Sequence, residues 1–354
     1  MTAILGVVAL GLLMIIVFQI AKVGELLSVV KGEKEGEVNN ETNRFMGVFS
    51  MAFMIIGLVA SVWSAIAYSD RYLPEAASEH GVTLDFLFNV TLFFTGIVFI
   101  LTQIILFYFV YKYRSGRNQR AYFFPHSNKL EMIWTVVPSI VLTVLIVLGL
   151  QAWLKVTGPA PEGTMVVEAT GQQFNWIIRY PGMDGELGTR EFEEISGTNE
   201  LGIVWADGNS HDDFIATEIH LPVNQPVMFK LGAKDVLHSF YLPHFRVKMD
   251  CVPGIPTQFW LTPTKTTAQM RQETGNAEFD FELACAELCG SAHWNMRKVV
   301  IVEEEADYLK WVEEQNPLYD NVKASLSEEE ESDQQDNSIE EQQAQQEEDL
   351  LTAL

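Results

Sequence analysis

Four stretches of this chain, about 3–22, 45–68, 86–111 and 132–153, are almost free of charge. Each approaches or exceeds the roughly 18–20 apolar residues that a helix needs to cross a bilayer. A water-soluble core cannot hide that much continuous apolar length, so the first half of the chain reads as membrane. The first stretch has no Lys or Arg before Lys22 and no clear small-x-small cleavage site behind its apolar run, so it reads as a retained helix and not as a signal peptide. Composition after Trp153 is that of an ordinary soluble domain.

The basic residues of the short loops orient the spans. Lys22, Lys31, Lys34 and Arg44 precede the second span, Arg71 alone follows it, and Lys112, Arg114, Arg117, Arg120 and Lys129 follow the third. Cytoplasmic loops carry the excess of Lys and Arg, which places the first and third loops inside and the domain after Trp153 outside. The net charge is −24, of which eleven acids fall in the last 30 residues, leaving −13 without them. Such a balance excludes a basic nucleic-acid-binding face and suits the steering of a basic partner protein.

Beyond Thr164 come short β-rich runs, among them Met165–Thr170, Phe174–Tyr180, Gln225–Leu231 and Lys298–Val302, separated by Gly, Pro and Asn. They predict a small β-sandwich or barrel. The Gly- and acid-rich stretch 182–213 reads as a surface insertion, and Asp307–Glu314 as a short closing helix. From Ser325 onward Glu, Asp, Gln and Ser dominate without an aromatic residue, which predicts disorder.

Three cysteines do not make a disulfide framework, and two of them belong to the run Cys285-Ala-Glu-Leu-Cys-Gly-Ser-Ala-His-Trp-Asn-Met296. Thiolate and thioether are soft ligands that favour copper, zinc and iron–sulfur sites, and imidazole suits copper or zinc. One Cys, two His and a weak Met would describe a mononuclear blue-copper site. A second thiolate four residues on can instead bridge two metals, leaving His293 and Met296 as terminal ligands and calling for one more imidazole. His238, at the end of a β-rich run, is the choice for it, with His220 and His244 as alternatives. Cys251 stands apart and reads as a small buried filler.

The segments Asp235-Val-Leu-His-Ser-Phe240, Val247-Lys-Met-Asp-Cys-Val-Pro-Gly254 and Cys285-x-Glu-x-Cys-Gly-x-x-His-x-x-Met296 resemble subunit II of the haem-copper cytochrome c oxidases, and Leu130-Glu-Met-Ile-Trp-Thr-Val-Val-Pro138 resembles the start of that family's second conserved helix. The resemblance spans roughly residues 85–315, and the cysteine loop is its strongest motif. It implies a membrane-anchored all-β protein: transmembrane helices followed by a cupredoxin-like, Greek-key β-barrel that carries a binuclear copper centre, CuA. Cys285 and Cys289 would bridge the two coppers. His238 and Met296 would complete one, His293 and the backbone carbonyl of Glu287 the other.

The same resemblance implies that the Glu287 carboxylate helps hold a magnesium ion at the interface with subunit I, and that Glu131 marks a proton-uptake channel. Asn128-x-x-Glu131 also reads simply as a capping box. In the family the electron is received at a Trp in a Gly-His-Gln-Trp-type strand. Here the stretch is Gly171-Gln-Gln-Phe-Asn-Trp176, with Phe174 in that place and Trp176 two residues on, on the same side of a strand. Both are candidates for receiving the electron.

The domain plan is then an extra membrane helix (1–25), a cytoplasmic loop (26–44), a second helix (45–68), a periplasmic loop (69–84), a helical hairpin (85–155), the periplasmic CuA domain (156–317) and an acidic tail (318–354). What the resemblance implies is an electron-transfer subunit in a bacterial inner membrane, working with subunit I and its haem, with subunit III and with a c-type cytochrome that diffuses or sits in a supercomplex. No Cys-x-x-Cys-His is present to attach a haem to this chain. The quinol-oxidising relatives, whose equivalent subunit generally lacks copper, do not suit an intact ligand set. A copper-storage or structural zinc protein leaves Met296 and the oxidase-like helix without a purpose, and the propeller domain of nitrous oxide reductase has no room here.

Overall fold

The computed structural model describes residues 2–30, 40–115, 122–320 and 322–323. The chain divides into two compact units, one of residues 1–69 with 94–131 and the other of residues 70–93 with 132–354. Its long helices are α1 (Thr2–Val30), α2 (Asn40–Ala67), α4 (Glu79–Lys112) and α5 (Asn128–Thr157), with a single turn α3 (Ser69–Tyr72) after α2. Among the described residues α2, α4 and α5 are each long and apolar enough to cross a membrane.

In the first unit α2 packs on the later turns of α4. Phe53 and Phe107 meet with ring centroids 5.8 Å apart, and a Cβ at Gly47 would lie 3.2 Å from the Arg114 side chain. The start of α5 is also capped here. The cap is one residue earlier than expected: the Leu130 N–H donates to Ser127 Oγ (3.5 Å) and the Ser127 N–H to Glu131 Oε1 (3.3 Å). Ser127, not Asn128, is therefore the capping residue that partners Glu131.

In the second unit, α4 begins at Glu79, so its first turn lies in the stretch expected to be loop as far as 84. The cause is Ser78, whose Oγ accepts from the Gly81 N–H (3.1 Å) and donates to the Phe245 carbonyl (2.8 Å). That satisfies a free N-terminal amide and starts the helix early. The rest of this unit is a β-domain built from β1 (Met165–Gln172), β2 (Asn175–Tyr180), β3 (Phe214–Ala216), β4 (Ile219–Pro222), β5 (Val227–Ala233), β6 (His238–Leu242), β7 (Val247–Cys251), β8 (Thr257–Leu261), β9 (Phe281–Cys285) and β10 (Arg297–Glu303), with short helices α6 (Thr267–Thr274) and α7 (Glu305–Glu313).

The strands form two five-stranded sheets, ordered β3-β2-β1-β5-β8 and β4-β10-β9-β6-β7. β1 runs parallel to β5 and β4 parallel to β10, while the other pairs are antiparallel. The two sheets close a cupredoxin-like barrel around an aromatic centre. Phe240 of one sheet meets Trp176, Phe229 and Phe259 of the other at 5.6, 5.1 and 5.9 Å between centroids. Alternation along β2 sends Trp176, Ile178 and Tyr180 into this core.

The opposite face of β2 is buried too, and the stretch 182–213 is the reason. Ile177 packs with Leu201 and Ile203 in a second cluster joined by Trp205 and Leu318. Arg179, also on that face, is buried against Glu168 (2.7 Å) and Asp213 (2.8 Å). The insertion is thus a cover for an outer sheet face. The Leu318 N–H donates to the Asp213 carbonyl (2.7 Å), so the folded domain extends past 317. Residues 324–354, most of the expected acidic tail, lie outside the described residues.

Candidate metal centre

Strand ends bring the soft ligands together. His238 opens β6, Cys285 closes β9, and the loop between β9 and β10 carries Cys289, His293 and Met296. Two backbone bonds close that loop: the Cys285 N–H donates to the Met296 carbonyl (3.1 Å) and the Ala286 N–H to the Ser239 carbonyl (3.0 Å). A short 3-10 turn, His293–Asn295, then points the imidazole back at Cys289.

The donor atoms of His238, Cys285 and Cys289 all lie within 4.8 Å of one another. Cys285 Sγ is 3.9 Å from Cys289 Sγ, 3.9 Å from His238 Nδ1 and 3.2 Å from the Glu287 carbonyl oxygen. Cys289 Sγ is 3.6 Å from His293 Nδ1 and 3.9 Å from Met296 Sδ. His238, Cys285, Cys289 and Met296 are buried, whereas the Glu287 side chain is exposed. Two thiols, two imidazoles and a thioether in one cluster, buried except for the half-buried His293, are a donor set that fits copper.

Four hydrogen bonds hold the cluster in place. His238 Nε2 is 2.8 Å from Asp235 Oδ1, which leaves Nδ1 turned to the sulfurs. The same carboxylate accepts from the N–H groups of Gln173 (2.7 Å) and Val236 (2.7 Å). Burial works against its charge, yet these bonds and that of His238 hold Asp235 below the usual carboxylate range. The Gln173 side-chain amide donates to the Cys289 carbonyl (2.6 Å). Asp235 and Gln173 lie in segments the sequence reading quoted, but their supporting contacts cannot be read from spacing.

Two glycines allow the close approach. A Cβ at Gly171 would sit 2.9 Å from the His238 ring, and one at Gly290, whose φ is 141°, would sit 2.8 Å from the Phe174 ring. Burial, with Cys285 adding repulsion, pushes the Cys289 thiol up to about 11. It is protonated at neutral pH, so binding a metal there displaces a proton.

The remaining candidates lie elsewhere. His220 Nδ1 is 2.7 Å from Glu303, and its ring stacks on Trp311 at 4.0 Å. His244 meets Phe279 and Phe281 edge-on at 5.2 and 5.3 Å. Cys251 pairs across the ladder with His238 and is fully buried, which pushes its thiol up to about 12.

Phe174 and Trp176 do not share a strand face. β2 starts at Asn175, so Phe174 lies in the turn before it, half-buried on Gly290. Trp176 is 1 % exposed, inside the core and edge-on to His238 at 6.0 Å. Trp294 and Leu288, which the sequence reading did not single out, are the exposed apolar residues of the cysteine loop.

The family model for the transmembrane domain of cytochrome c oxidase subunit II matches residues 62–152, and that for its periplasmic domain matches residues 165–303. The alternative cytochrome c oxidase subunit 2 of Bradyrhizobium diazoefficiens is 36% identical over 271 residues, covering 75% of this chain and 92% of that protein. Cytochrome c oxidase subunit 2 of Thermostichus vulcanus is 26% identical over 290 residues, with 75% and 84% covered. The crystal structure of the periplasmic domain of subunit II of cytochrome oxidase of Bradyrhizobium japonicum aligns at 27% identity and a TM-score of 0.30, covering 44% of this chain and 95% of that one. With both domains matched in order and the paired-cysteine cluster seated between β9 and β10, the chain belongs to the cytochrome c oxidase subunit II family, as a membrane protein with a periplasmic domain.

Proposed function

We propose that this chain is the electron-transfer subunit of a terminal respiratory oxidase in a bacterial inner membrane. It accepts electrons one at a time from a c-type cytochrome and passes them toward haem in subunit I, where oxygen is reduced to water and protons are moved. The observation that carries this reading is the pair of buried thiols 3.9 Å apart with an imidazole facing each of them. Two copper ions bound there, a CuA centre, supply one-electron redox chemistry. Cys285 and Cys289 would hold both ions, with His238 and Met296 completing the donor set of one and His293 and the Glu287 carbonyl that of the other.

The protein's own part is to keep these ligands still and dry. His238 and Cys285 are anchored in neighbouring strands, β6 and β9, and Asp235 fixes the His238 ring through Nε2. A site whose ligands hold position in both oxidation states has little geometry to reorganise when charge changes, which favours fast transfer.

Leu288 and Trp294 offer an apolar contact for the donor close to the ligands, and the acidic chain steers a basic donor toward it. We assign the arrival of the electron to this rim and to Phe174. Trp176 serves within the core as a packing partner of His238. The exposed Glu287 carboxylate is available to a magnesium ion shared with subunit I, since a hard cation takes oxygen ligands. Glu131, exposed at the start of α5, is assigned to proton uptake. Subunit III is a further expected partner. The first helix is read as an additional anchor and the acidic tail as a solvated extension.

Electron paramagnetic resonance on the copper-loaded, oxidised full chain tests the reading. One unpaired electron shared by two coppers gives a multi-line pattern, and Cys289→Ser reduces it to a mononuclear signal. A silent sample with full metal loading would sink the CuA assignment.

A further inference from the structure

A cavity of about 170 Å³ lies where the first turns of α4, the last turns of α5 and strand β7 come together. Leu84, Ala152, Val156 and Met249 give it apolar walls, while Lys155 and Lys248 stand at it as cations. Arg246 also lines it, but its charge is already met: Nε lies 2.6 Å from Asp85 Oδ1 and Nη2 2.9 Å from Oδ2. The two lysines differ. Lys248 Nζ rests 4.7 Å from the Tyr241 ring centroid, and among the described residues neither lysine forms an ion pair with a carboxylate.

Two lysines without an ion pair at one apolar cavity stand out in a chain with 47 acids and 23 basic residues. Their setting is that of a membrane interface. α4 and α5 both qualify as spans; Trp153, near the C-terminal end of α5, is a residue type that concentrates at the headgroup level, and the long side chain of Lys155 can reach the same level. Nothing lies within 4 Å of where a Cβ would sit at Gly149. Gly149 and Ala152, one turn apart and both lining the cavity, leave a trough on that side of α5. A cavity of about 150 Å³ takes up a single benzene ring, so this one has room for a headgroup and not for whole acyl chains.

We propose that the cavity holds the headgroup of an anionic phospholipid, its phosphate between Lys155 and Lys248 and an acyl chain along the Gly149–Ala152 trough. The cations supply what the phosphate needs, the walls suit the first methylenes, and the trough leads toward the hydrocarbon. This site stands independently of the copper reading.

Native mass spectrometry of the full chain in mild detergent, titrated in turn with dioleoylphosphatidylglycerol, dioleoylphosphatidylcholine and inorganic phosphate, tests it. One phosphatidylglycerol is retained at concentrations where the other two are not. Lys155→Gln with Lys248→Gln weakens that retention by about 30-fold, since each interfacial cation contributes on the order of a fivefold effect. Gly149→Leu, which fills the trough without altering charge, weakens it as well, and decides the matter if the double variant loses its secondary structure. Equal retention of the two lipids, equal binding of phosphate alone, or unchanged phosphatidylglycerol binding in the folded double variant would overturn the proposal. So would release of a partner subunit from the purified complex by the lysine substitutions with lipid binding intact, which would make the cavity a protein contact.

Discussion

The β-domain and the membrane helices put the same side chains to opposite uses. Trp176 is 1 % exposed at the centre of the barrel, whereas Trp134 on α5 is 62 % exposed, as are most large apolar residues of α2, α4 and α5. In water an apolar side chain must be covered by protein, so β-strands alternate and two sheets close on each other. In hydrocarbon the outward side chain is already in its preferred medium, and the constraint passes to the backbone, which must satisfy its hydrogen bonds within the helix. An exposed Trp therefore has no meaning until the surrounding solvent is specified.

The comparison can be broken by substitution. The largest contrast is expected between Trp176→Ala, which empties the core beside His238 and Phe240 and should cost about 3–5 kcal/mol, and Trp134→Ala, which should stay within about 0.5 kcal/mol. Urea unfolding of the β-domain in both full-length variants measures it, and equal losses would refute the two-solvent account. Next is charge. Ile140→Lys on α5 places an ammonium in a span at about 2.5–3.5 kcal/mol, while Met183→Lys on the exposed insertion should be nearly neutral. Protease protection of the loops reports the fraction of chains correctly inserted, and a fully inserted Ile140→Lys chain would argue that α5 lines a polar path.

Asp235→Asn sharpens the contrast at the site itself. It keeps the shape but loses the carboxylate that orients His238, and copper affinity should fall about 10–100-fold. Competition with a copper chelator measures this, and an unchanged affinity would leave Asp235 a purely structural role. The smallest effect concerns His244, whose burial against Phe279 and Phe281, with Arg246 nearby, lowers its pKa from 6.5. The unfolded chain then binds the proton that the folded chain resists. Stability should be intact above pH 6.5 and decline as pH falls below it, by at most about 1.4 kcal/mol per pH unit. His244→Gln should flatten that slope in unfolding midpoints taken between pH 7 and pH 5.

Local chemistry is legible in the sequence. Cys285, Cys289, His293 and Met296 lie within twelve residues, so one loop suffices to gather them, and the spacing alone implied a cluster. His238 required a choice among distant imidazoles; the structure puts it beside the thiols and puts His220 and His244 against Trp311 and Phe281 instead. Phe174 and Trp176 share a face only if one strand runs through both, but β2 begins between them. The cap of α5 slipped by one residue for a similar reason: Ser127 and Asn128 are both good capping residues, and only the backbone geometry selects one.

The sequence by itself determined what depends on composition and near neighbours: the apolar spans, the β-character of the second half, the soft ligand loop and the family. Those signals are local, because hydrophobic run length, alternation and ligand spacing are properties of adjacent residues. Only the tertiary structure decided that the 182–213 stretch covers the outer face of β2 through Leu201, Ile203 and Asp213, that Asp235 and Gln173 brace the ligands, and that Lys155 and Lys248 meet at one cavity. Each of these joins residues far apart in the chain, and no local pattern records which distant segments will pack together.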